Sequence, residues 1–163
     1  MTSDPVPARI RPAHVADAEA VAAVHAQAWR ETYSGSVPDD VFAEMERTGP
    51  DGWRRALADP GGMATWLAER SGEVVGLAQA HAVGPGNVRP LQLSVLYVLR
   101  AHQGTGTGQR LLDVAVGDAP CFLWVAEDNP RAIAFYRRNG FEPDGAREIE
   151  ERWGGVAGVR LVR

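Results

Sequence analysis

Apolar residues along this chain change their spacing several times, and each change marks a new element. After a short β-type stretch at Arg9 to Arg11, Val21, Val24 and Ala28 recur with helical spacing and predict a helix from a cap at Asp17 through about Arg30. A second helical region spans Val41 to about Leu57, with a break expected near Gly49-Pro50-Asp51. Ala64 to Glu69 and Val74 to Ala82 flank Arg70-Ser71-Gly72-Glu73 as a hairpin, and Gly84-Pro85-Gly86-Asn87 turns the chain into a strand from Leu91 to Val98. In that strand Leu91, Leu93 and Val95 alternate before the phase slips to Leu96 and Val98. A one-residue slip is what a β-bulge produces, and a strand buried on both faces gives a similar string. A glycine loop, a helix to about Val116, a strand from Cys121 to Val125 and a helix from Asn129 to Arg138 follow. A last hairpin, Ala146 to Glu151 and Val159 to Val162, closes around Gly154-Gly155. Strand, crossover helix and strand in that order make a parallel pair.

The loop after Val98 carries the clearest chemistry. Gly104, Gly106 and Gly108 lack a Cβ, so the backbone can turn with several N–H groups aimed inward, and the following helix adds its positive end. A diphosphate suits such a cradle. Two common owners of glycine loops are excluded: Gln109 stands where a dinucleotide fingerprint needs a third glycine, and a Walker loop needs a lysine, which this chain lacks altogether.

Gln103-x-x-Gly106-x-Gly108 after Leu96-Tyr97-Val98 resembles the coenzyme A loop of the GCN5-related N-acetyltransferases (GNAT). Asn129-Pro130-Arg131-Ala132-Ile133-Ala134-Phe135-Tyr136-Arg137-Arg138-Asn139-Gly140-Phe141 resembles the same family's N-x-x-A-x-x-F-Y-x-x-x-G-F segment. Part of that second motif is local physics: Asn129 is a good N-cap, Pro130 suits the first helical position and Gly140 suits a left-handed helix end. Capping explains neither Phe135-Tyr136 nor its distance from the glycine loop. The resemblance implies a small single-domain α/β protein over residues 9–163. Its mixed, mostly antiparallel sheet would have about seven strands, with a splayed parallel pair and about four flanking helices.

Composition narrows the setting. With 163 residues and 45% hydrophobic content the chain is long enough for one well-packed domain. Residues 1–8 read as a flexible N-terminus. No apolar run approaches about 18 residues, Met1 to Ala8 lacks a signal peptide's apolar centre, and the single Cys121 lies in an apolar string, so a cytoplasmic protein with a buried structural thiol is expected. A net charge of −4, with scattered arginines as the basic residues, argues against nucleic acid as a partner. The acidic excess falls entirely within residues 1–60; nearer the motifs, Arg100, Arg110, Arg131, Arg137 and Arg138 outnumber the acids, which does not repel a polyanion.

The resemblance also implies roles. Acetyl-coenzyme A is the cosubstrate, with no metal, and an amine attacks it directly without an acetyl-enzyme. Backbone groups of Leu96, Tyr97 and Val98 would follow the pantetheine arm, with the Leu96 N–H donating to the thioester carbonyl, and Gln103, Gly104, Thr105, Gly106, Thr107 and Gly108 would hold the diphosphate. Asn129 would reach the pantetheine, and Tyr136 would protonate the departing thiolate. Many relatives place a glutamate where this chain has Gln92, which cannot act as a base. Proton removal is then left to Glu127, His25, Glu31, His81 or water. His25, Trp29 and Tyr33, on a segment resembling the acceptor-side helix of small bacterial relatives, would wall the acceptor pocket. Asp39, Asp40, Glu44 and Glu46 would attract a small cationic amine. Such relatives commonly form homodimers. An alternative is a catalytically silent module that binds or senses acyl-coenzyme A, which Gln92 favours and Tyr136 opposes.

Overall fold

The computed structural model describes residues 7–163, so most of the expected flexible N-terminus lies outside the described residues. Ala8 is already buried, and its carbonyl accepts from the Arg110 guanidinium. The chain forms β1 (Arg9–Pro12), α1 (Ala18–Tyr33), α2 (Asp39–Ala58), β2 (Met63–Arg70), β3 (Glu73–Ala82), β4 (Leu91–Val98), α3 (Thr107–Ala115), β5 (Phe122–Ala126), α4 (Pro130–Arg138), β6 (Glu142–Glu150) and β7 (Val156–Val162). They build one seven-stranded sheet in the order β1-β2-β3-β4-β5-β7-β6, antiparallel except for β4 and β5. The expected mixed sheet with four helices is therefore the one observed.

Each sheet face buries one apolar layer. Val21 and Val24 of α1 and Trp53 of α2 pack on Leu67, Leu77, Val95 and Tyr97, while Leu112 of α3 and Tyr136 of α4 pack with Leu93, Leu123 and Leu161 on the other face. Gly76 permits the close approach of β3, β4 and α3: a Cβ there would lie 2.8 Å from the Tyr97 carbonyl oxygen and 3.2 Å from Leu111. Cys121 is fully buried, and burial raises its thiol above the usual range, as a structural role requires.

Three local expectations change. The second helix is not broken at Pro50, because α2 runs through it from Asp39 to Ala58. Proline in a helix interior costs about 3 kcal/mol, but buried Phe42 and Trp53 anchor the helix on either side of it. Asp17 does not cap α1 through its side chain. Its carboxylate instead accepts from Arg11 at 2.8 Å and from the His14 N–H at 2.8 Å, bracing the turn before the helix. The final hairpin is longer than its hydrophobic pattern indicates, since β6 begins at Glu142 on a largely exposed edge.

The phase slip in β4 is a true bulge. Leu93 lies opposite Ala80 and Val95 opposite Gln79, which leaves Ser94 as the extra residue.

Candidate active site

Beyond the bulge, β4 leaves its parallel neighbour. Only Gln92 and Phe122 are paired across β4 and β5, after which the strands diverge around a cavity of about 790 Å³. Leu96, Tyr97 and Val98 line one wall, Leu123 and Val125 the other, and the glycine loop one end. The alternation of peptide groups decides what β4 offers. The Leu99 N–H donates to the Val75 carbonyl at 2.9 Å, and the Tyr97 carbonyl presses toward Gly76, so odd-numbered positions bond to β3. The peptide groups of Leu96 and Val98 therefore face the gap, and those of Tyr97 do not. The Val98 carbonyl already accepts from Gln103 Nε2 at 3.0 Å, which leaves the Leu96 and Val98 N–H groups as open donors.

The loop that follows keeps its side chains for itself and its amides free. Thr105 Oγ1 donates to the His102 carbonyl at 2.7 Å and lies 2.9 Å from Thr107 Oγ1, while Gly104 and Gly106 turn the chain with φ of 76° and 79°. Among the described residues, none of the amides from Gly104 to Gln109 donates a hydrogen bond, and the Arg110 N–H is the first to be used, bonding the Gly106 carbonyl. Uncommitted amides at a helix start form an anion cradle. Gln103 does not share in it: its amide is spent on the Arg100 carbonyl at 3.2 Å and its side chain on Val98, so it braces the loop. Arg131 and Arg138 line the same cavity without a carboxylate partner among the described residues; Arg110 is engaged with Ala8, and Arg137 lies 3.8 Å from Glu142.

Helix α4 supplies the other motif residues. Asn129 Oδ1 accepts from the Ala132 N–H at 3.1 Å, as its capping role requires, and its side chain lines the cavity. Tyr136 also lines the cavity, held edge-on between Phe135 and Phe141 with ring centroids at 5.3 and 5.6 Å. Burial, then proximity to Tyr33 and Cys121, pushes its phenol well above the ordinary range and keeps it protonated.

The expected acceptor residues separate. Tyr33 lines the cavity, where burial and the charge of Asp128 raise its phenol. Trp29 is buried behind it, 4.9 Å from the Tyr33 ring and 4.7 Å from Trp153, and does not line the cavity. His25 is also behind the wall. It packs against Trp53 and Tyr97 at 5.5 Å each, and its Nδ1 accepts from Trp53 Nε1 at 3.3 Å. Burial lowers its imidazole from 6.5 to about 4, so it stays neutral in the fold.

That shift has a measurable consequence. The unfolded chain takes up the proton below about pH 6.5 and the folded chain does not, so stability falls as pH drops from there toward 4. At pH 5.5 His25 is expected to cost about 1.2 kcal/mol relative to pH 7. Urea unfolding at the two pH values checks this: His25→Gln, which keeps an acceptor for Trp53, should lose less stability than wild type by that amount, and parallel losses would refute it.

The carboxylates also sort differently from expectation. Glu127 faces Arg147, with contacts of 2.9 and 3.1 Å that hold it below the usual carboxylate range, and it lines only a smaller side pocket of about 340 Å³. An ion-paired carboxylate outside the main cavity is a poor proton acceptor. Glu31 is at the cavity but accepts the Arg100 N–H at 2.7 Å. Glu44 and Glu46 pair with Arg47 and Arg30, and Asp39 and Asp40 do not line the cavity, so the acidic helix start does not form its wall. Asp128 lines both the main cavity and the side pocket and has no ion pair among the described residues. Sequence reasoning passed over it in favour of its neighbour. Among the described residues no three His, Cys, Asp or Glu side chains come together as a metal site, and no helix is long and apolar enough to cross a membrane.

Comparison with known proteins agrees with this geometry. Residues 22–141 match the acetyltransferase (GNAT) family. A probable N-acetyltransferase of Mycobacterium tuberculosis is 33% identical over 172 residues, spanning 95% of this chain and 94% of its own length. The N-alpha-acetyltransferase RimI of the same organism is 32% identical over 168 residues, spanning 100% of this chain and 96% of its own length. In fold, the chain is similar to the PaiA N-acetyltransferase of Thermoplasma acidophilum, solved in complex with coenzyme A. That likeness has a TM-score of 0.72 at 18% identity, over 94% of this chain and 97% of the other. With both motifs, the split sheet and these relatives in agreement, the chain belongs to the GNAT family and is an acetyl-coenzyme A-dependent acyltransferase.

Proposed function

We propose that this enzyme transfers the acetyl group to a primary amine of a small cationic acceptor, by direct attack within a ternary complex and with Tyr136 as general acid. The observation that carries this reading is the run of uncommitted amides from Gly104 to Gln109, opening onto a cavity whose wall holds a protonated phenol. The cradle fits a diphosphate, and the Leu96 N–H on the open strand edge fits the thioester carbonyl. Bound acetyl-coenzyme A supplies the activated acyl group. Leu96 N–H then stabilises negative charge on the carbonyl oxygen, a contact worth about 3 kcal/mol. Tyr136 donates its proton to the leaving sulfur, and the free amide of Asn129, whose oxygen is occupied in capping, holds the pantetheine. Asp128, at the join between main cavity and side pocket, favours a cationic acceptor.

Isothermal titration with acetyl-coenzyme A, followed by thiol release with cationic, neutral and anionic amines, tests this reading. Cationic primary amines are expected to turn over. Turnover confined to neutral or anionic acceptors would refute the acceptor class, and tight binding with no turnover would mark a silent binding module.

A further inference from the structure

We propose that the Ser94 hydroxyl and the His81 imidazole form the relay that removes the proton from the attacking amine. This rests on the acetyl-transfer reading above and supplies the base that the reading lacks. Ser94 is the bulged residue of β4. It lines the cavity at the closed end of the split, two positions from the Leu96 N–H along the strand, a separation of about 6.5 Å. Its Oγ lies 3.0 Å from His81 Nδ1. His81 stands directly opposite Gln92 in the β3–β4 ladder, so the imidazole sits beside the amide of the residue that cannot take a proton.

The other groups are otherwise engaged. Glu127 is held by Arg147, Glu31 by the Arg100 amide, and the His25 lone pair by Trp53. Asp128 lies past the far end of β5, away from the closed end where β4 and β5 pair. Around His81, β2 contributes Met63 opposite it and β4 contributes Gln92 and Ser94, none of them charged. No ion pair to His81 exists among the described residues.

The bulge explains the arrangement. An unbulged strand would pair Ser94 in the ladder and continue its alternation; the extra residue instead sets the hydroxyl at the closed end of the split. With His81 carrying its hydrogen on Nε2, Ser94 donates to Nδ1 and its oxygen keeps lone pairs for an amine N–H. In the reaction the amine nitrogen forms its bond to the acyl carbon and the carbon–sulfur bond breaks. The amine proton passes to Ser94 Oγ as the hydroxyl proton passes to His81 Nδ1, while the sulfur takes the Tyr136 proton. Solvent then deprotonates His81 and reprotonates Tyr136, so one proton in total moves from amine to thiol.

The full-length chain is assayed by thiol release with acetyl-coenzyme A and an alkyl diamine, an arylethylamine and an amino-acid amide, from pH 5.5 to 9. His81→Gln is expected to lower kcat/KM about a hundredfold and to abolish the acid limb of the profile. Acetyl-coenzyme A affinity by calorimetry should remain within about twofold. Ser94→Ala is expected to lower kcat/KM about tenfold and to move the His81 ring signals in 1H–15N NMR spectra of the ligand-free protein. Free imidazole should restore part of the activity of His81→Ala. A His81→Gln enzyme that retains rate and acid limb while Tyr136→Phe is impaired would overturn the relay and leave the acetyl-transfer reading standing. Acetylation of Ser94 after incubation with acetyl-coenzyme A alone would overturn it in favour of a covalent route. A wild type that binds the cosubstrate and acetylates none of these amines would overturn both.

Discussion

Replacing Gly106 with glutamate is expected to weaken acetyl-coenzyme A binding at least a hundredfold, about 2.7 kcal/mol or more. The side chain has room to exist, since nothing lies within 4 Å of a Cβ built there, but it projects from the loop of free amides proposed to hold the diphosphate. A negative charge near a diphosphate at close range is worth several kcal/mol of repulsion. The φ of 79° adds strain for any residue other than glycine, about 1–2 kcal/mol, and that contribution must be separated from the charge. Gly106→Gln does so, being matched in size and strain. Calorimetry should show Gly106→Glu binding far more weakly than Gly106→Gln, with both variants folded by circular dichroism. Full retention of affinity in the glutamate variant would remove the diphosphate from this loop.

Tyr136→Phe is expected to lower kcat at least tenfold with little change in cosubstrate affinity. The ring is packed between Phe135 and Phe141, and phenylalanine preserves that packing, so the loss isolates the hydroxyl. Because burial keeps the phenol protonated, the wild-type rate should show no basic decline attributable to Tyr136 below about pH 10. Single-turnover thiol release, compared with calorimetric affinity, separates the proton-donating role from binding. Unchanged turnover would show that the thiolate takes its proton from elsewhere.

Much of this arrangement is legible in the residues themselves. The phase slip at Val95 and Leu96 announces the bulge, since an extra residue in a pleated strand must invert the alternation, although the unpaired residue proves to be Ser94. Alternating glycines before a helix announce the cradle because only glycine enters the left-handed region at little cost. What stays hidden depends on tertiary neighbours. Glu127 and Asp128 are adjacent carboxylates at a strand end, and which one meets the cavity is decided by Arg147, twenty positions away. His25, Trp29 and Tyr33 share a helix, yet α2 and the β6–β7 turn cover the first two and leave only Tyr33 at the cavity. Pro50 reads as a helix end from local rules, and the buried aromatics flanking it override them. The His81–Ser94 contact joins residues from two strands whose register is set by the bulge, so no local pattern in either strand reveals it.

The lone rung between Gln92 and Phe122 divides the sheet into two leaves, β1 to β4 on one side and β5, β7 and β6 on the other. Each leaf is internally zipped, but their mutual angle rests on that rung and on the helices that straddle it. In the proposed complex a thioester arm lying in the opening would bond to the edge of one leaf, with α4, which follows the other, beside it. On that proposal the cosubstrate would act as the missing interior strand, and protein and ligand would jointly set the spacing of the reacting groups.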